Sequence, residues 1–290
     1  MTNRSRGLRV RRPSPWHYLG EAVIFLLLIV VALAEILPVM WLFSTSLRDP
    51  AQSMALPPSF FPTSWRWENY RAVLASKQIN FVLFFFNSLK VAVIITVLRL
   101  VLNSFAAFSF GRLRFPGRDT LFFLFLASMM VPGNVTVVPR FILLRVVGLM
   151  DTLWALILPG MAGAFGVFLL RQFFMTLPTE LIDAAKIDGA GYFRIYWQVM
   201  LPQIGPGLSA LGIFSFLNSW NSFQEPLLFL RSWTNFTLPL GIVTLQGFMG
   251  EGNRAHVLAA VMLSIFPILV VFLLAQRFVV QGIATTGLKG

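Results

Sequence analysis

Long apolar segments separated by short polar ones fill most of this chain. About 20 apolar residues are enough for a helix to cross the hydrocarbon layer of a membrane, because a helix rises about 1.5 Å per residue. Six segments meet that length, and they cover residues 22–43, 81–110, 120–138, 153–174, 204–230 and 257–280. The pattern predicts an all-α integral membrane protein with six transmembrane helices.

The polar segments divide the chain around one transmembrane domain, residues 21–280. A basic segment, residues 1–20, precedes it, a long connection at 175–203 separates the fourth and fifth spans, and a short tail at 281–290 follows. The first apolar run is too long for a signal-peptide core and has no clear cleavage site, so we interpret it as an uncleaved span. Residues 44–80, rich in Pro and Trp, are predicted to form an ordered external loop.

Basic residues predict the orientation of the spans. Arginines are densest in residues 1–20 and in the short loop 111–118, which six spans place on the same side of the membrane. Cytoplasmic segments carry an excess of Lys and Arg. We therefore place both termini and the 175–203 connection in the cytoplasm.

The composition supports a membrane protein and argues against several other classes. Of 290 residues, 57% are hydrophobic and only 12% are charged, about half the charge of a soluble domain. The net charge of +12 is scattered among apolar spans, which argues against nucleic-acid binding. Without cysteine, and with only His17 and His256 as histidines, we expect no metal site and no catalytic residues.

Three charged residues fall within predicted spans, namely Glu35, Lys90 and Arg99. A charge inside the membrane is costly and needs a partner or a wet surface. Glu35 and Lys90 lie at similar depths, so we hypothesise an ion pair between them. Arg99 lies nearer the inner surface, where its side chain can extend to the headgroups. For all three residues, we favour a structural role, either packing or extension of the side chain to the headgroups, over a role in transport.

Two polar or small-residue patterns interrupt the apolar spans. In the fourth span Gly160, Gly163 and Gly166 follow Pro159, which suits close helix packing or a bend. The fifth span contains amides beside an aromatic ring, which suits a sugar but equally suits hydrogen bonds between helices. The candidate pathway residues are Asn218, Trp220, Asn221 and Gln224.

A polar stretch between the fourth and fifth spans predicts a short helix that docks on another protein. It begins near Pro178 and Thr179 and ends at Gly189, over about ten residues, too few to be stable alone in water. One side of this helix is small and smooth, which suits a groove on a partner. At helical spacing that side carries Leu181, Ala184 and Ala185, with Asp188 at its edge.

This stretch resembles the EAA loop of the membrane subunits of binding-protein-dependent ABC importers. The family pattern is Glu-Ala-Ala, three residues, Gly, nine residues, Ile, one residue, Leu-Pro. The spacing here is the same, with Asp in place of Glu and Val in place of Ile. The matching residues are Asp183, Ala184, Ala185, Gly189, Val199, Leu201 and Pro202. The resemblance assigns ATPase coupling to this loop, at Glu180, Asp183, Ala184, Ala185, Asp188 and Gly189.

Other stretches look like the maltose-type, carbohydrate-uptake branch, and specifically its six-span subunit. They include LLRQFF before the loop, MMVPGNVTVVP, LPLGIVTLQG and the final Gly-Leu-Lys-Gly. The resemblance implies a type I ABC importer permease fold in a bacterial or archaeal cytoplasmic membrane. It also implies a second permease subunit, two ATPase subunits and an extracytoplasmic sugar-binding protein, besides membrane lipid. ATP and Mg²⁺ would be bound by the ATPase subunits, so we expect this chain to bind no cofactor and to have no enzyme activity.

Three alternatives remain beside the sugar importer. A permease for another solute, such as glycerol phosphate or a peptide, would have the same architecture. A self-sufficient secondary transporter would show an inverted repeat and more ionisable residues at the midplane, and we see no repeat. A membrane enzyme would need a catalytic set that the sequence lacks.

Overall fold

The chain forms a bundle of helices around one long central helix. The computed structural model describes residues 15–49, 61–62, 64–76, 80–248 and 254–286, and these ranges contain no β-strand. The helices are α1 (Pro15–Ser46), α2 (Glu68–Ala75), α3 (Phe81–Arg112), α4 (Arg118–Ala127), α5 (Val137–Val146), α6 (Trp154–Gly160), α7 (Ala164–Thr176), α8 (Glu180–Ile187), α9 (Tyr192–Arg194), α10 (Leu201–Gln203), α11 (Gly205–Trp220), α12 (Gln224–Phe229), α13 (Leu238–Phe248) and α14 (Arg254–Thr286). A π-helical segment, Ile195–Met200, joins α9 to α10.

Three described helices, α1, α3 and α14, are each long and apolar enough to cross a membrane. Three bent pairs also qualify if each pair is counted as one span. They are α4 with α5, α6 with α7, and the segment from α9 to α10 with α11, bent by 93°, 40° and 80° respectively. By length and composition, the described residues therefore contain three to six candidate spans, and bent helix pairs occupy or overlap the third to fifth predicted spans.

Proline or glycine lies at each of the three breaks. Pro132 and Gly133 separate α4 from α5, Gly163 separates α6 from α7, and Pro206 lies in the first turn of α11. Proline lacks the N–H that continues a helix, and glycine allows the chain to leave helical geometry at low cost.

Several predicted boundaries differ from the observed ones. The predicted fifth span, 204–230, is too long, because α11 ends at Trp220 and α12 is a separate short helix. Helix α1 already begins at Pro15, and α14 continues to Thr286. The first 14 residues and residues 287–290, which hold the N-terminal arginines and the end of the predicted tail, lie outside the described ranges.

Helix α3 forms the centre of the packing. It contacts α7 and α11 along its length and also α6 and α13, while α14 packs on α11, α1 and α2. Buried apolar side chains form three clusters, centred near Phe174, Leu156 and Trp220. The large apolar side chains of α1 from Leu19 to Trp41 are exposed, as expected of a helix that lies against lipid or a partner subunit.

The hypothesised ion pair between Glu35 and Lys90 is not formed. Both side chains are exposed, and no ion pair in the described part of the chain joins them. Helix α1, which carries Glu35, packs chiefly against α14, whereas Lys90 is on α3. Similar depth in the membrane was therefore not enough to bring the two side chains together.

Candidate functional site

The connection between the fourth and fifth spans contains the predicted short helix, α8. It ends just before Gly189, whose φ of +76° lies in the left-handed region that glycine adopts freely. Glu180 and Asp183 lie in its first turn and Lys186 in its last. The helix dipole favours charges of these signs at these ends, so the local sequence stabilises the helix where it is observed.

One side of α8 packs against its own chain. Ile182 and Ala185 are each only 8% exposed and belong to the same apolar cluster as Phe174. The expectation that Ala185 shares a docking side with Leu181 and Ala184 is therefore wrong for Ala185. Of the two alanines, Ala185 thus packs against the rest of the chain, whereas Ala184 lies on the exposed side of α8.

The other side of α8 is free. We call this the α8 surface, and it consists of the exposed residues Glu180, Asp183, Ala184, Ile187 and Asp188. Ile187 is 87% exposed, more than any other large apolar side chain in the described ranges. Sequence reasoning missed Ile187, although its helical spacing from Asp183 and Ala184 places it on the same side. The surface therefore combines one apolar side chain with three carboxylates.

Arg112 holds the chain that leads into α8. Its Nε donates to the carbonyl of Phe174 at 2.9 Å, and its Nη2 donates to the carbonyls of Phe174 and Leu177. The last carbonyls of a helix have no partner within that helix. Arg112, at the end of α3, therefore caps α7 and fixes the position from which α8 starts.

The π-helical segment behind α8 is tied to the central helix. The buried Tyr196 ring stacks on Phe105 with 4.3 Å between ring centroids, and its hydroxyl lies 2.7 Å from the Ser104 hydroxyl. π-Helical turns are rare and frequently occur at functional sites. Together with Arg112, this contact gives α8 a firm connection to α3 on both sides.

A second candidate site is a cavity of about 850 Å³ between α3, α7, α11 and α12, which we call the central cavity. Its volume is in the range of sites that enclose small molecules. Three of the predicted pathway residues line it, Asn218, Asn221 and Gln224. The structure therefore brings these amides to one cavity.

Trp220 does not line the central cavity. Its side chain is 2% exposed, its ring stacks on Phe216, and its Nε1 donates to the Ser264 carbonyl of α14 at 3.1 Å. The indole thus joins two helices inside the core, which is the other interpretation open from the sequence.

A charged group that sequence reasoning missed lies beside the cavity. Glu225 lies within the predicted fifth span, and that position alone could have identified it as a further intramembrane charge. Its Oε1 lies 2.5 Å from Nη1 of Arg140 on α5. The partner could not have been found from sequence spacing, because 85 residues separate the two.

Arg99 has a specific partner within the bundle. Its Nε donates to the Gly160 carbonyl at 2.5 Å. Gly160 ends α6 at the break before α7, where a carbonyl loses its helical partner. Such freed groups must be satisfied inside a membrane, so Arg99 stabilises the break in the fourth span.

The three glycines of the fourth span have different roles. A Cβ on Gly160 would lie 2.7 Å from Ile95 Cδ1, and one on Gly166 would lie 2.1 Å from Asn103 Nδ2. Gly163 has open space around it and lies at the 40° bend. Close packing thus explains Gly160 and Gly166, whereas Gly163 lies at the bend without a close neighbour.

Asp151 joins the α5–α6 loop to the segment after α12. Its carboxylate accepts hydrogen bonds from the backbone N–H groups of Arg231 and Ser232, both at 2.9 Å, and from the Ser232 hydroxyl. Partial desolvation is the largest single influence and would raise the pKa of Asp151. These hydrogen bonds and one from Asn235 outweigh it, and they lower that pKa to about 2.

The chain belongs to the family described as binding-protein-dependent transport system inner membrane component, whose model matches residues 100–284. It is a permease component of such a system, as the resemblance of the 183–202 loop predicted. The carbohydrate-uptake branch of that resemblance is also confirmed, because sugar permeases are among its relatives.

Three relatives illustrate the range of the family. AraQ of Halalkalibacterium halodurans, an arabinooligosaccharides transport system permease, is 34% identical over 262 residues, 90% of this chain and 93% of that protein. NgcG of Streptomyces coelicolor, a diacetylchitobiose uptake system permease, is 32% identical over 91% of this chain and 87% of that protein. UgpE of Yersinia enterocolitica, an sn-glycerol-3-phosphate transport system permease, is 33% identical over 89% of this chain and 93% of that protein.

A solved structure has the same fold. A chain of a bacterial ABC transporter involved in import of the acidic polysaccharide alginate superposes with a TM-score of 0.77 at 24% identity, covering 92% of this chain and 98% of that chain. The likeness confirms the fold of an ABC importer permease for this helical bundle.

Proposed function

We propose that this chain is one permease subunit of an ATP-driven importer for an oligosaccharide and that it couples to its ATPase through the α8 surface. The observation that carries this proposal is the exposure of that surface. Ile187 and three carboxylates face solvent on a helix whose other side and both ends are anchored to the chain. A free surface on a short helix that the rest of the chain holds in place suits docking into a groove on a partner.

The proposal includes six spans with both termini in the cytoplasm of a bacterium or archaeon. In this orientation α8 and the basic segment 111–118 lie on the cytoplasmic side, and Asp151 lies on the outer side. A second permease subunit would complete the pathway, two ATPase subunits would bind ATP and Mg²⁺, and a binding protein would deliver the sugar. The ATPase subunits would bind the inward-facing and outward-facing states of the permease with different affinities. Movement of α8 with the ATPases would therefore shift the balance between these two states.

Purification from native membranes in a gentle detergent tests the assembly. We expect the tagged chain to bring with it an ATPase subunit and a second permease, and the eluate to hydrolyse ATP. A chain that purifies alone without ATP hydrolysis in several detergents would overturn the proposal.

Substitutions on α8 test the docking surface. Ala184→Trp places a large ring on the α8 surface, so we expect the ATPase subunit to be lost while the folded chain is recovered in normal yield. The matched control is Ala75→Trp, since Ala75 is also exposed but ends α2 in the segment between the first two spans. If Ala184→Trp retains the ATPase as well as Ala75→Trp does, α8 is not the coupling element.

A second candidate cargo is glycerol 3-phosphate or a related polyol phosphate. The 33% identity to UgpE supports it to about the same degree as the sugar relatives support an oligosaccharide. The binding protein encoded with the chain distinguishes the two, because its affinity for arabinooligosaccharides or for glycerol 3-phosphate can be measured directly.

A further inference from the structure

Three cavities meet at the same two charged residues. The central cavity, a smaller one of about 170 Å³ and a third of about 870 Å³ all include Arg99 and Glu225 in their linings. The third is also lined by Arg140 and lies between α5 and α6. We call this meeting point the Arg99 junction, and a molecule passing between the cavities would contact it.

The Arg99 junction has an excess of positive charge. The charged residues lining the three cavities are Arg99, Arg140 and Glu225. Arg140 pairs with Glu225 at 2.5 Å, and the same carboxylate also attracts Arg99, so two positive charges share one negative charge. No ion pair within the described ranges involves Arg99, and its only hydrogen bond there uses Nε. Its two terminal nitrogens therefore remain as a planar pair of donors.

Hydrogen-bond donors without partners line the central cavity next to this charge. Asn103 is 2% exposed and Ser215 is 1% exposed, and neither Asn103 Nδ2 nor Ser215 Oγ has a partner in the described structure. Buried polar groups are almost always satisfied, so unpaired ones need an explanation. Both atoms are closed off in this structure, Asn103 Nδ2 against Gly166, so a ligand would reach them only after these side chains rotate.

We propose, on the basis of the function proposed above, that the Arg99 junction recognises an anionic group, a carboxylate or a phosphate, on the transported saccharide or polyol. The guanidinium fork matches the two oxygens of either group, and charge-assisted bonds of this kind are among the strongest in proteins. A neutral cargo would leave the excess positive charge of the junction without a second counter-charge. An anionic cargo compensates that charge as it passes.

Ligand-observed saturation-transfer NMR on the whole transporter complex in lipid nanodiscs tests this recognition without the binding protein. The probes are two matched pairs, galacturonate with galactose and glycerol 3-phosphate with glycerol. We expect signal from at least one anion and about tenfold weaker binding of its neutral counterpart. The anion with the stronger signal identifies a carboxylate or a phosphate as the recognised group.

Variants then assign the recognition to Arg99. Arg99→Gln is expected to weaken anion binding about tenfold, whereas Arg99→Lys keeps only part of it, because the charge remains but the planar fork is lost. Lys90→Gln is the matched control, since it removes a positive charge from the same helix outside the three cavities. Equal binding of anions and neutral counterparts by the unaltered complex overturns the inference, as does full anion binding by Arg99→Gln.

These outcomes are separate from those of the proposed function. The complex used here is the one that brings an ATPase with it, so failure to bind anions leaves the importer assignment intact. The comparison of matched probes on the unaltered complex also decides the inference if Arg99→Gln lowers the yield of folded protein.

Discussion

The central helix α3 supports two regions of opposite character. At one end, the region around α8 has its polar groups paired: Arg112 caps α7, Tyr196 bonds to Ser104, and aromatic rings stack between them. Farther along, the central cavity leaves the polar groups of Asn103 and Ser215 unpaired. We call the first region the α8 anchor, and it comprises Arg112, Phe174, Tyr196 and their contacts.

The difference indicates a division of roles along one helix. Fully paired polar groups and dense packing make the α8 anchor suited to transmit a rigid-body movement. Unpaired buried donors in the cavity wall leave that region less firmly held than the α8 anchor. Substitutions in the α8 anchor should therefore cost more stability than equivalent substitutions at the cavity.

The largest effect is expected for Phe174→Ala. The ring is completely buried and packs on Phe108, with 5.7 Å between ring centroids. Its loss should destabilise the chain by about 3–5 kcal/mol, the usual cost of removing a buried phenylalanine side chain. The apparent melting temperature in detergent measures this. Phe123→Ala is the control because that ring is 69% exposed, and equal shifts for both variants would contradict a dense core at the α8 anchor.

A smaller effect is expected for Arg112→Gln. The glutamine cannot reach both carbonyls that Arg112 binds, and losing charged hydrogen bonds of this kind costs about 1.5–3 kcal/mol. We also expect less ATPase subunit to co-purify, because the start of α8 is no longer fixed. Melting temperature and the ratio of ATPase to permease in the eluate measure the two effects. Arg114→Gln, at an exposed arginine of the same loop, should leave both unchanged.

At the cavity wall, Gly166→Ala should cost about 1–3 kcal/mol through overpacking against Asn103 and Leu211. Gly163→Ala should have almost no effect, because open space surrounds Gly163 and its φ of −171° suits any residue. The melting temperature of each variant, relative to that of the unaltered chain, measures how closely the glycine is packed. Equal loss at both positions would show that the bend, rather than close packing, limits the fourth span.

The smallest effect is expected for Asp151, which is largely solvated. Its pKa falls from an ordinary 3.8 to about 2 in the folded chain. The stabilisation is therefore fully present above about pH 4 and is lost as the pH falls towards 2. Solvent screening limits it to about 1 kcal/mol or less. Asp151→Asn should lower the melting temperature slightly at pH 7. Near pH 2 the unaltered chain and the variant should melt at the same temperature. Asn also tolerates the φ of +59° at this position, so the substitution adds no backbone strain. An unchanged melting temperature at pH 7 would contradict this contribution.

Much of the architecture followed from local sequence. Apolar length placed the spans, charge signs and Gly189 placed α8, and the 183–202 spacing indicated the family. These features depend on neighbouring residues, because helix formation, capping and membrane insertion are all decided within a few turns. The amides Asn218 and Asn221 were likewise recognisable as unusual in an apolar span.

Only the tertiary structure decided which groups meet. It turned Ala185 towards the core and left Ile187 free, buried Trp220 away from the cavity, and paired Arg140 with Glu225 rather than Glu35 with Lys90. Apolar periodicity marks a side of a helix but does not specify the neighbour that covers it. A charge likewise finds its partner through the packing of helices that are distant in sequence, so these contacts depend on the whole bundle.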